Sequence, residues 1–332
     1  MIKKLFSSLL AALLVITIQI NCTADTKYET TEIPVPHSLL FLGDSIATGY
    51  GLEGYQNGKE NCNSYANQLT RQYTKELDKA CDVTQKNLAI DGQTSGELLK
   101  SLQNGKYDTY LKSADAIVVS IGGNDMLSVI LDVLRKFQNT DSQSIDLYEI
   151  IQSITSLDST LENNLTAFDK NISEISHYIN EKSNAVIVLQ TLYNPFDQMK
   201  GLTQFTDFAK EKIDKLNESI IKHKDDENGK YLIADVATVF NGKGDTLTRI
   251  NSFDIHPTQE GHNIIAQCVD KVLRTQKYSY EKAIEVQTPK TEKPFFTKKN
   301  VIILALIFIF TTLTTALIFI VVNKQKGVRN KK

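Results

Sequence analysis

Short, unbroken apolar runs alternate with stretches of helical periodicity along most of the chain. Five of these runs predict β-strands, at 39–42, 83–90, 116–121, 185–191 and 231–236. A strand without polar alternation is buried on both faces, which is typical of a parallel sheet covered by helices. The pattern therefore predicts an α/β fold, with a five-stranded parallel sheet in one doubly wound domain.

Helical periodicity occupies the segments between the apolar runs. Apolar residues recur every three or four positions there, and this spacing predicts helices at 64–78, 95–102, 208–220 and 264–273. The connection at 126–181 is unusually long and has helical spacing as well. It fits either a lid over a binding site or additional scaffold, and its lack of distinctive chemistry favours scaffold.

The N-terminal segment 1–24 has the pattern of a secretory signal. Lys3 and Lys4 precede an apolar run from 5 to 20, and small residues follow. This arrangement predicts export, with cleavage after Ala24. An uncleaved anchor and a lipid-modified Cys22 are the alternatives.

A second long apolar run, at 301–322, contains no charged residue. A helix of this length can cross the hydrocarbon core of a bilayer. Lysines and arginines follow it, and basic flanks are retained on the cytoplasmic side. The sequence therefore predicts a single-pass protein of the cell membrane, with its globular part outside and its C-terminus in the cytoplasm.

These features divide the chain into six segments. The predicted boundaries are a signal peptide at 1–24, a linker at 25–37, a domain at 38–276, a stalk at 277–299, a transmembrane helix at 300–323 and a basic tail at 324–332. The segment Thr288-Pro289-Lys290-Thr291-Glu292 outlines a cell-wall sorting signal, but glutamate stands where glycine is required. A retained membrane helix is therefore favoured over covalent attachment to the wall.

Composition excludes some partners. The formal net charge is −2 with 23% charged residues, so no nucleic-acid partner is expected. Loss of Cys22 would leave Cys62, Cys81 and Cys268, whose spacing does not resemble a zinc site. Cys62 and Cys81 flank a predicted helix and lie too far apart to pair directly, whereas pairing of either with Cys268 stays open. No metal or cofactor is expected, and the oligomeric state is open.

Three short polar motifs each follow a predicted strand. Gly43-Asp44-Ser45 follows the first strand, Gly92 lies in the turn after the second, and Asn124 follows Gly122-Gly123 after the third. The carboxyl ends of parallel strands meet at one edge of the sheet, where ligands bind. A serine there can act as a nucleophile if a base is available, and a glycine N–H and an asparagine amide can stabilise an oxyanion.

A fourth motif precedes the last predicted helix. It contains Asp254 and His256, and a histidine oriented by a carboxylate is the usual base for a serine hydroxyl. The other histidines have no comparable setting and are interpreted as solvated or structural. They are His37, His177, His223 and His262.

In this order, the four motifs resemble those of the SGNH hydrolases, also called the GDSL esterase/lipase family, over about 38–276. The resemblance implies a flavodoxin-like three-layer α/β/α sandwich and ester hydrolysis without a metal. It implies that Ser45 is the nucleophile and His256 the base. It also implies an oxyanion hole formed by Ser45, Gly92 and Asn124.

The chain departs from the family pattern at the acid. The family commonly has an aspartate three residues before the histidine, where this chain has Phe253. Asp254, two residues before His256, would need a loop that differs from the usual one, and a backbone carbonyl near Ser252 is the alternative. Asn194, after the fourth strand, is a possible substrate contact.

The sequence thus predicts an extracytoplasmic serine esterase that acts through an acyl-enzyme. Acylated glycans, short-chain esters and lysophospholipids are the candidate substrates. A non-catalytic surface module that binds glycans or mediates adhesion on the same fold is the alternative.

Overall fold

The computed structural model describes residues 27–78, 80–138, 148–149, 152–153, 156–199, 203–284 and 298–329. These residues belong to two structural units, one from Thr30 to Glu281 and one formed by the two ends of the chain. The predicted signal peptide at 1–24 and most of the predicted stalk, 285–297, lie outside the described residues, as does 330–332 of the predicted tail.

A five-stranded sheet forms the centre of the larger unit. The described residues form seven strands, namely β1 Lys27–Ile33, β2 Ser38–Gly43, β3 Thr84–Asn87, β4 Ala116–Ser120, β5 Val186–Gln190, β6 Leu232–Ala234 and β7 Tyr278–Ile284. The central sheet has the order β3-β2-β4-β5-β6, and each of its four pairings is parallel. This is the flavodoxin-like strand order. The predicted fold class is confirmed, and each of the five predicted strands overlaps one of these.

Helices cover the sheet. They are α1 Ser45–Thr48, α2 Tyr65–Leu77, α3 Ser95–Gln103, α4 Asp108–Ser113, α5 Gly123–Gln138, α6 Asp158–Lys182, α7 Thr203–Lys222, α8 Val236–Phe240, α9 Gly244–Leu247 and α10 Gln259–Leu273. Helices α2 and α10 pack together as one layer, whereas α3, α5 and α7 pack around α6 in the other. Between the layers, Phe41, Val118 and Val188 of neighbouring strands are fully buried.

Helix α6 shows what the long connection at 126–181 does in its described part. Phe168, Ile172 and Ile175 form a buried apolar face on this helix. Such a face stabilises the domain by removing apolar area from water, at roughly 25 cal/mol per Å². Helix α6 therefore packs into the core of the domain.

The two segments beside the predicted domain differ from the expectation of a linker and a stalk. Strands β1 and β7 pair with each other in a two-stranded sheet. Ile33 of β1 and Tyr278 of β7 are both buried, and the Tyr278 hydroxyl donates to the Leu273 carbonyl at 3.1 Å. Burial of these apolar side chains explains why both segments form strands where the sequence indicated only extended chain.

The unit formed by the chain ends contains helix α11, Lys298–Arg329. Its segment Lys299–Ile318 has a mean hydropathy of 2.7 and no buried residue, so it is long and apolar enough to cross a membrane. The predicted span at 300–323 lies inside this helix.

The three described cysteines are free thiols. Cys62 is buried, and its Sγ donates to the Lys59 carbonyl at 3.2 Å. Cys62 and Cys81 do not pair, in agreement with their predicted separation, and the pairing with Cys268 that the sequence left open is not formed.

Candidate active site

Ser45 lies at a tight turn between β2 and α1. Gly43 ends the strand with a φ of +121°, and a Cβ at this position would meet the Ser120 carbonyl oxygen at 1.8 Å. Only glycine fits there. Asp44 then caps α1, since its Oδ1 accepts a hydrogen bond from the Ile46 N–H at 3.0 Å. The turn fixes the serine at the carboxyl edge of the sheet.

His256 reaches Ser45 from the loop before α10. Its Nε2 lies 2.8 Å from Ser45 Oγ, although the two residues are 211 positions apart in the sequence. This is hydrogen-bonding distance, so the imidazole can accept the serine proton.

Asp254 binds the second ring nitrogen of the same imidazole. Its Oδ1 lies 2.5 Å from His256 Nδ1 and also accepts from the His256 backbone N–H at 3.0 Å. A carboxylate bound to Nδ1–H fixes the tautomer that leaves Nε2 as an acceptor. The acid two positions before the histidine therefore faces the ring, and the structure does not place the Ser252 carbonyl in that role.

The backbone before Asp254 explains how this geometry arises. A short 3₁₀ turn, Ile250–Ser252, ends at Phe253, which has a left-handed φ of +55°. The segment is therefore not extended, and the alternation of an extended chain does not set the direction of Asp254. Burial would raise the pKa of the Asp254 carboxyl, but hydrogen bonds from His256 and Arg249 hold it well below its usual range.

Two residues that contact the histidine and its acid, Arg249 and Tyr50, have no signal in the sequence. Arg249 Nε donates to Asp254 Oδ2 at 2.6 Å, and its Nη2 donates to the Tyr50 carbonyl at 3.0 Å. The Tyr50 ring lies against the His256 ring, with centroids 4.7 Å apart. Tyr50 is 43% exposed and therefore stands at the surface of the site.

Gly92 and Asn124 lie together at the ends of β3 and β4. Gly92 has a φ of +77°, and open space surrounds the position that a Cβ would take. Asn124 lies in the first turn of α5, and its Nδ2 donates to the Gln93 carbonyl at 3.1 Å. This bond connects the side chain of Asn124 to the turn that contains Gly92.

A network of polar side chains around the buried Ser95 supports this pair. The Ser95 hydroxyl donates to Asp125 Oδ1 at 2.6 Å, and Asn171 of α6 donates to that hydroxyl at 2.8 Å. Asn164, also on α6, donates to the Asp125 carbonyl at 2.7 Å. The long helix therefore holds the residue directly after Asn124.

The turn of Gly92 is also connected to the nucleophile helix. Asp91 accepts a hydrogen bond from the Thr48 hydroxyl at 2.5 Å and another from the Tyr55 hydroxyl. Desolvation raises the pKa of Tyr55 to about 12, with the bond to Asp91 as the second cause. Tyr55 therefore stays protonated and able to donate.

Two carboxyls beside the site have raised pKa values. Burial raises the pKa of Asp44 to about 7, against the lowering effect of the Ile46 N–H. Burial also raises the pKa of Asp125, and Ser95 opposes it.

The remaining predicted positions have local roles. Asn194 Oδ1 accepts from the Phe196 N–H at 2.9 Å, which closes its own turn, and the contact of Asn194 with substrate stays a prediction. The neighbouring Tyr193 is the one that reaches the base loop, by donating to the Ile255 carbonyl at 2.8 Å. Burial lowers the pKa of His262 to about 3, so this histidine is neutral and structural.

Within the described ranges, no cluster of three histidine, cysteine or acidic side chains is arranged to hold a metal ion.

A model of the GDSL-like lipase/acylhydrolase family matches residues 41–264. The chain belongs to this family. It is thereby a serine ester hydrolase, and the four sequence motifs that carried the resemblance all lie within the matched range.

Known proteins similar to this GDSL-like hydrolase agree with its fold. An extracellular lipase from Streptomyces rimosus has 19% identity and a TM-score of 0.51, covering 71% of this chain and 99% of that one. The lipase Lip_vut3 from a goat rumen metagenome has 19% identity and a TM-score of 0.50, covering 70% and 96%. The uncharacterized protein YpmR of Bacillus subtilis strain 168 is 24% identical over 290 residues, which are 82% of this chain and 97% of YpmR.

Proposed function

We propose that this GDSL-like hydrolase cleaves carboxylic esters through an acyl-enzyme formed on Ser45. One observation carries the proposal: a continuous chain of hydrogen bonds from Ser45 Oγ through both nitrogens of His256 to Asp254. A serine hydroxyl is a weak nucleophile until a base removes its proton, and this chain supplies the base together with the group that orients it.

The first half of the reaction forms the acyl-enzyme. Ser45 Oγ attacks the ester carbonyl carbon while its proton passes to His256 Nε2. The carbonyl oxygen becomes an oxyanion, which the Ser45 and Gly92 N–H groups and the Asn124 amide stabilise. His256 then gives the proton to the leaving alcohol as the carbon–oxygen bond of the ester breaks.

The second half releases the acid. A water molecule gives a proton to His256 and attacks the acyl carbon, and the same donors stabilise the second oxyanion. Collapse of that intermediate returns the proton to Ser45 Oγ and frees the carboxylic acid. Asp254 stays ionised throughout, since its role is to stabilise the imidazolium.

The proposed setting is the outer face of the cell membrane. The support is the apolar helix α11 together with the basic residues that follow it, which favour a cytoplasmic C-terminus. The signal-like pattern at 1–24 fits export of the domain. Acylated glycans, short-chain esters and lysophospholipids would all be met there, and these remain the proposed substrate classes.

Labelling with a fluorophosphonate tests the catalytic proposal on the full-length protein in detergent. Wild-type protein should be labelled at Ser45 and should hydrolyse a chromogenic acetate ester, and Ser45→Ala should lose both. Ser113→Ala, which changes an exposed serine bonded only to Tyr110, is the control and should retain both. Undiminished turnover in Ser45→Ala would contradict the proposal, and an unlabelled wild-type protein would favour a binding module.

A further inference from the structure

We propose that Arg249 is a positioning residue that fixes Asp254 against His256 and connects the histidine loop to the loop of Tyr50. The inference rests on the proposed function, because it concerns the same triad. It explains how an acid displaced by one position in the sequence is still held in place.

The two carboxylate oxygens of Asp254 have different partners. Oδ1 accepts both of its bonds from His256, one from the ring and one from the backbone. Oδ2 accepts from Arg249 Nε at 2.6 Å. Without Arg249, this carboxylate would keep its bonds to His256, the residue that it has to orient. Arg249 is therefore the independent anchor.

Both the backbone and the side chain of Arg249 are held by contacts. Its backbone N–H donates to the His256 carbonyl at 3.0 Å, and its carbonyl accepts from the Ser252 N–H at 2.9 Å. Its side chain lies directly on the opposite loop, since a Cβ at Gly51 would meet Arg249 Nη2 at 2.2 Å. With 23% of the side chain exposed, the guanidinium is docked between two loops.

The guanidinium also binds the loop that follows helix α1, which begins at Ser45. Nη2 donates to the Tyr50 carbonyl at 3.0 Å, and the Tyr50 ring packs on the imidazole of His256. One side chain thus restrains the carboxylate from behind and, through Tyr50, the face of the histidine ring. Loss of Arg249 should release both restraints together.

Arginine is suited to this position for geometric reasons. Nε and Nη2 are held in one rigid plane, so a bond to Asp254 sets the direction of the bond to Tyr50. A lysine at 249 would keep the charge, but its single ammonium on a flexible stem would not reproduce both directions. Arg249→Lys therefore separates the effect of guanidinium geometry from the effect of its charge.

The kinetic test compares Arg249→Ala and Arg249→Lys with Arg274→Ala. Arg274 is a matched control, because it binds Glu76 and Asp270 at 2.6 and 2.9 Å in a similar ion pair on helices α2 and α10. Misplacement of a catalytic group by about 1 Å can cost about 10²-fold in rate. We expect a loss of kcat of that order in both Arg249 variants, little change in KM, and wild-type kcat in Arg274→Ala. Added guanidinium ion should restore part of the activity of Arg249→Ala.

A second measurement needs no substrate and so separates this inference from the proposed function. In wild-type protein the proton between His256 Nδ1 and Asp254 should give a proton NMR signal far downfield of the amides, identified by its loss in His256→Ala. In Arg249→Ala this signal should shift or broaden, whereas in Arg274→Ala it should not. Wild-type protein without hydrolysis or labelling would refute the proposed function and leave this signal as the test of Arg249.

Two results would overturn the role of Arg249. One is an Arg249→Ala protein whose kcat stays within about threefold of wild type, or whose downfield signal is unchanged. The other is a loss of activity that the unfolded fraction of the variant accounts for entirely, as measured by thermal melting alongside Arg274→Ala.

Discussion

On one side of Ser45 the proposed oxyanion donors are held by a hydrogen-bond network that includes the fully buried Ser95, whereas on the other side the histidine and its acid lie in a half-buried loop. Asn124 is supported through Asp125 by Ser95 and Asn171, which belong to α3 and α6. His256 is supported by Asp254 and, beyond it, by the guanidinium of Arg249. The first side relies on hydrogen bonds from the neutral side chains of Ser95 and Asn171, and the second on a half-buried ion pair between Arg249 and Asp254.

The carboxyls on the two sides show the physical consequence. Burial raises the pKa of Asp44 to about 7, because a charge next to the core loses its hydration. The pKa of Asp254 is held low against the effect of burial, because His256 and Arg249 donate to it. A carboxylate that must stabilise an imidazolium therefore lies where cationic donors can reach it, and the buried carboxyls serve as caps and acceptors.

The largest effect on turnover should come from the side of His256 and Asp254. Asp254→Asn should leave the fold intact but lower kcat by about 10⁴, the loss measured for the same kind of change in a serine protease triad. The amide would donate to His256 Nδ1 or bind it weakly, so the wrong tautomer would face Ser45. Steady-state kinetics with a thermal melt would check both parts. A loss of only about tenfold would show that another group orients the imidazole.

Loss of one proposed oxyanion donor should lower kcat less than Asp254→Asn does. Asn124→Ala should lower kcat by roughly 10²–10³ with a smaller effect on KM, because the amide acts mainly on the transition state. Gly92 and Ser45 N–H groups would remain as donors. A change confined to KM would mean that Asn124 binds substrate and does not stabilise the oxyanion.

The nucleophile and the proposed oxyanion donors were visible in the sequence. Ser45, Gly92 and Asn124 each follow a strand end, and parallel strands bring their carboxyl ends to one edge. The sheet itself was equally accessible, because its central strands are unbroken apolar runs. Local pattern and the topology of parallel strands were sufficient for this part of the molecule.

The supporting residues were not visible, because their partners lie far away in the sequence. Arg249 and Tyr50 are 199 positions apart, and Asn171 and Ser95 are 76 apart. Phe253 adopts a left-handed backbone that bulky residues seldom take, so the direction of Asp254 could not be deduced from its position. The pairing of β1 with β7 was missed for the same reason, since it joins segments from opposite ends of the chain.

Substitution of the buried Ser95 should have a smaller effect on turnover and a measurable effect on stability. Ser95→Ala removes the hydroxyl that donates to Asp125 and accepts from Asn171. The free energy of unfolding should fall by about 0.5–1.5 kcal/mol, since the two hydroxyl hydrogen bonds are lost while the Ser95 backbone N–H still donates to Asp125. We expect kcat to fall by less than for Asn124→Ala, because Asn124 itself remains.

Ser176→Ala is the matched control for this change. Ser176 is also fully buried, but its hydroxyl donates only to the Ser173 carbonyl of its own helix. Urea denaturation should show a smaller loss of stability for Ser176→Ala and no change in kcat. Equal losses in the two variants would mean that the contacts of Ser95 add nothing beyond those of an ordinary helical serine.

The smallest effect on turnover should come from Asp44→Asn, whose main consequence is a change in how stability depends on pH. The pKa of Asp44 is about 7 in the folded protein, compared with 3.8 for an unperturbed aspartate. Between these values the folded state retains a proton that the unfolded state releases. The free energy of unfolding therefore falls as pH rises from about 4 to about 7, by up to about 1.4 kcal/mol per pH unit, and this contribution stays lost above that range.

Asparagine at 44 does not titrate but keeps an oxygen that can accept from the Ile46 N–H, so the cap of α1 can persist. With the cap kept, wild-type protein and Asp44→Asn should differ least near pH 4, and the variant should become the more stable of the two as pH rises towards 7, as urea denaturation across this range would measure. Asp235→Asn, at the exposed cap of α8, controls for the change of cap residue itself. If the two Asn variants and the wild-type protein gave parallel curves, Asp44 would not be the buried acid that sets this dependence. The difference in pKa between Asp44 and Asp254 would then have to come from the hydrogen bonds to Asp254 alone, because burial would no longer raise the pKa of Asp44.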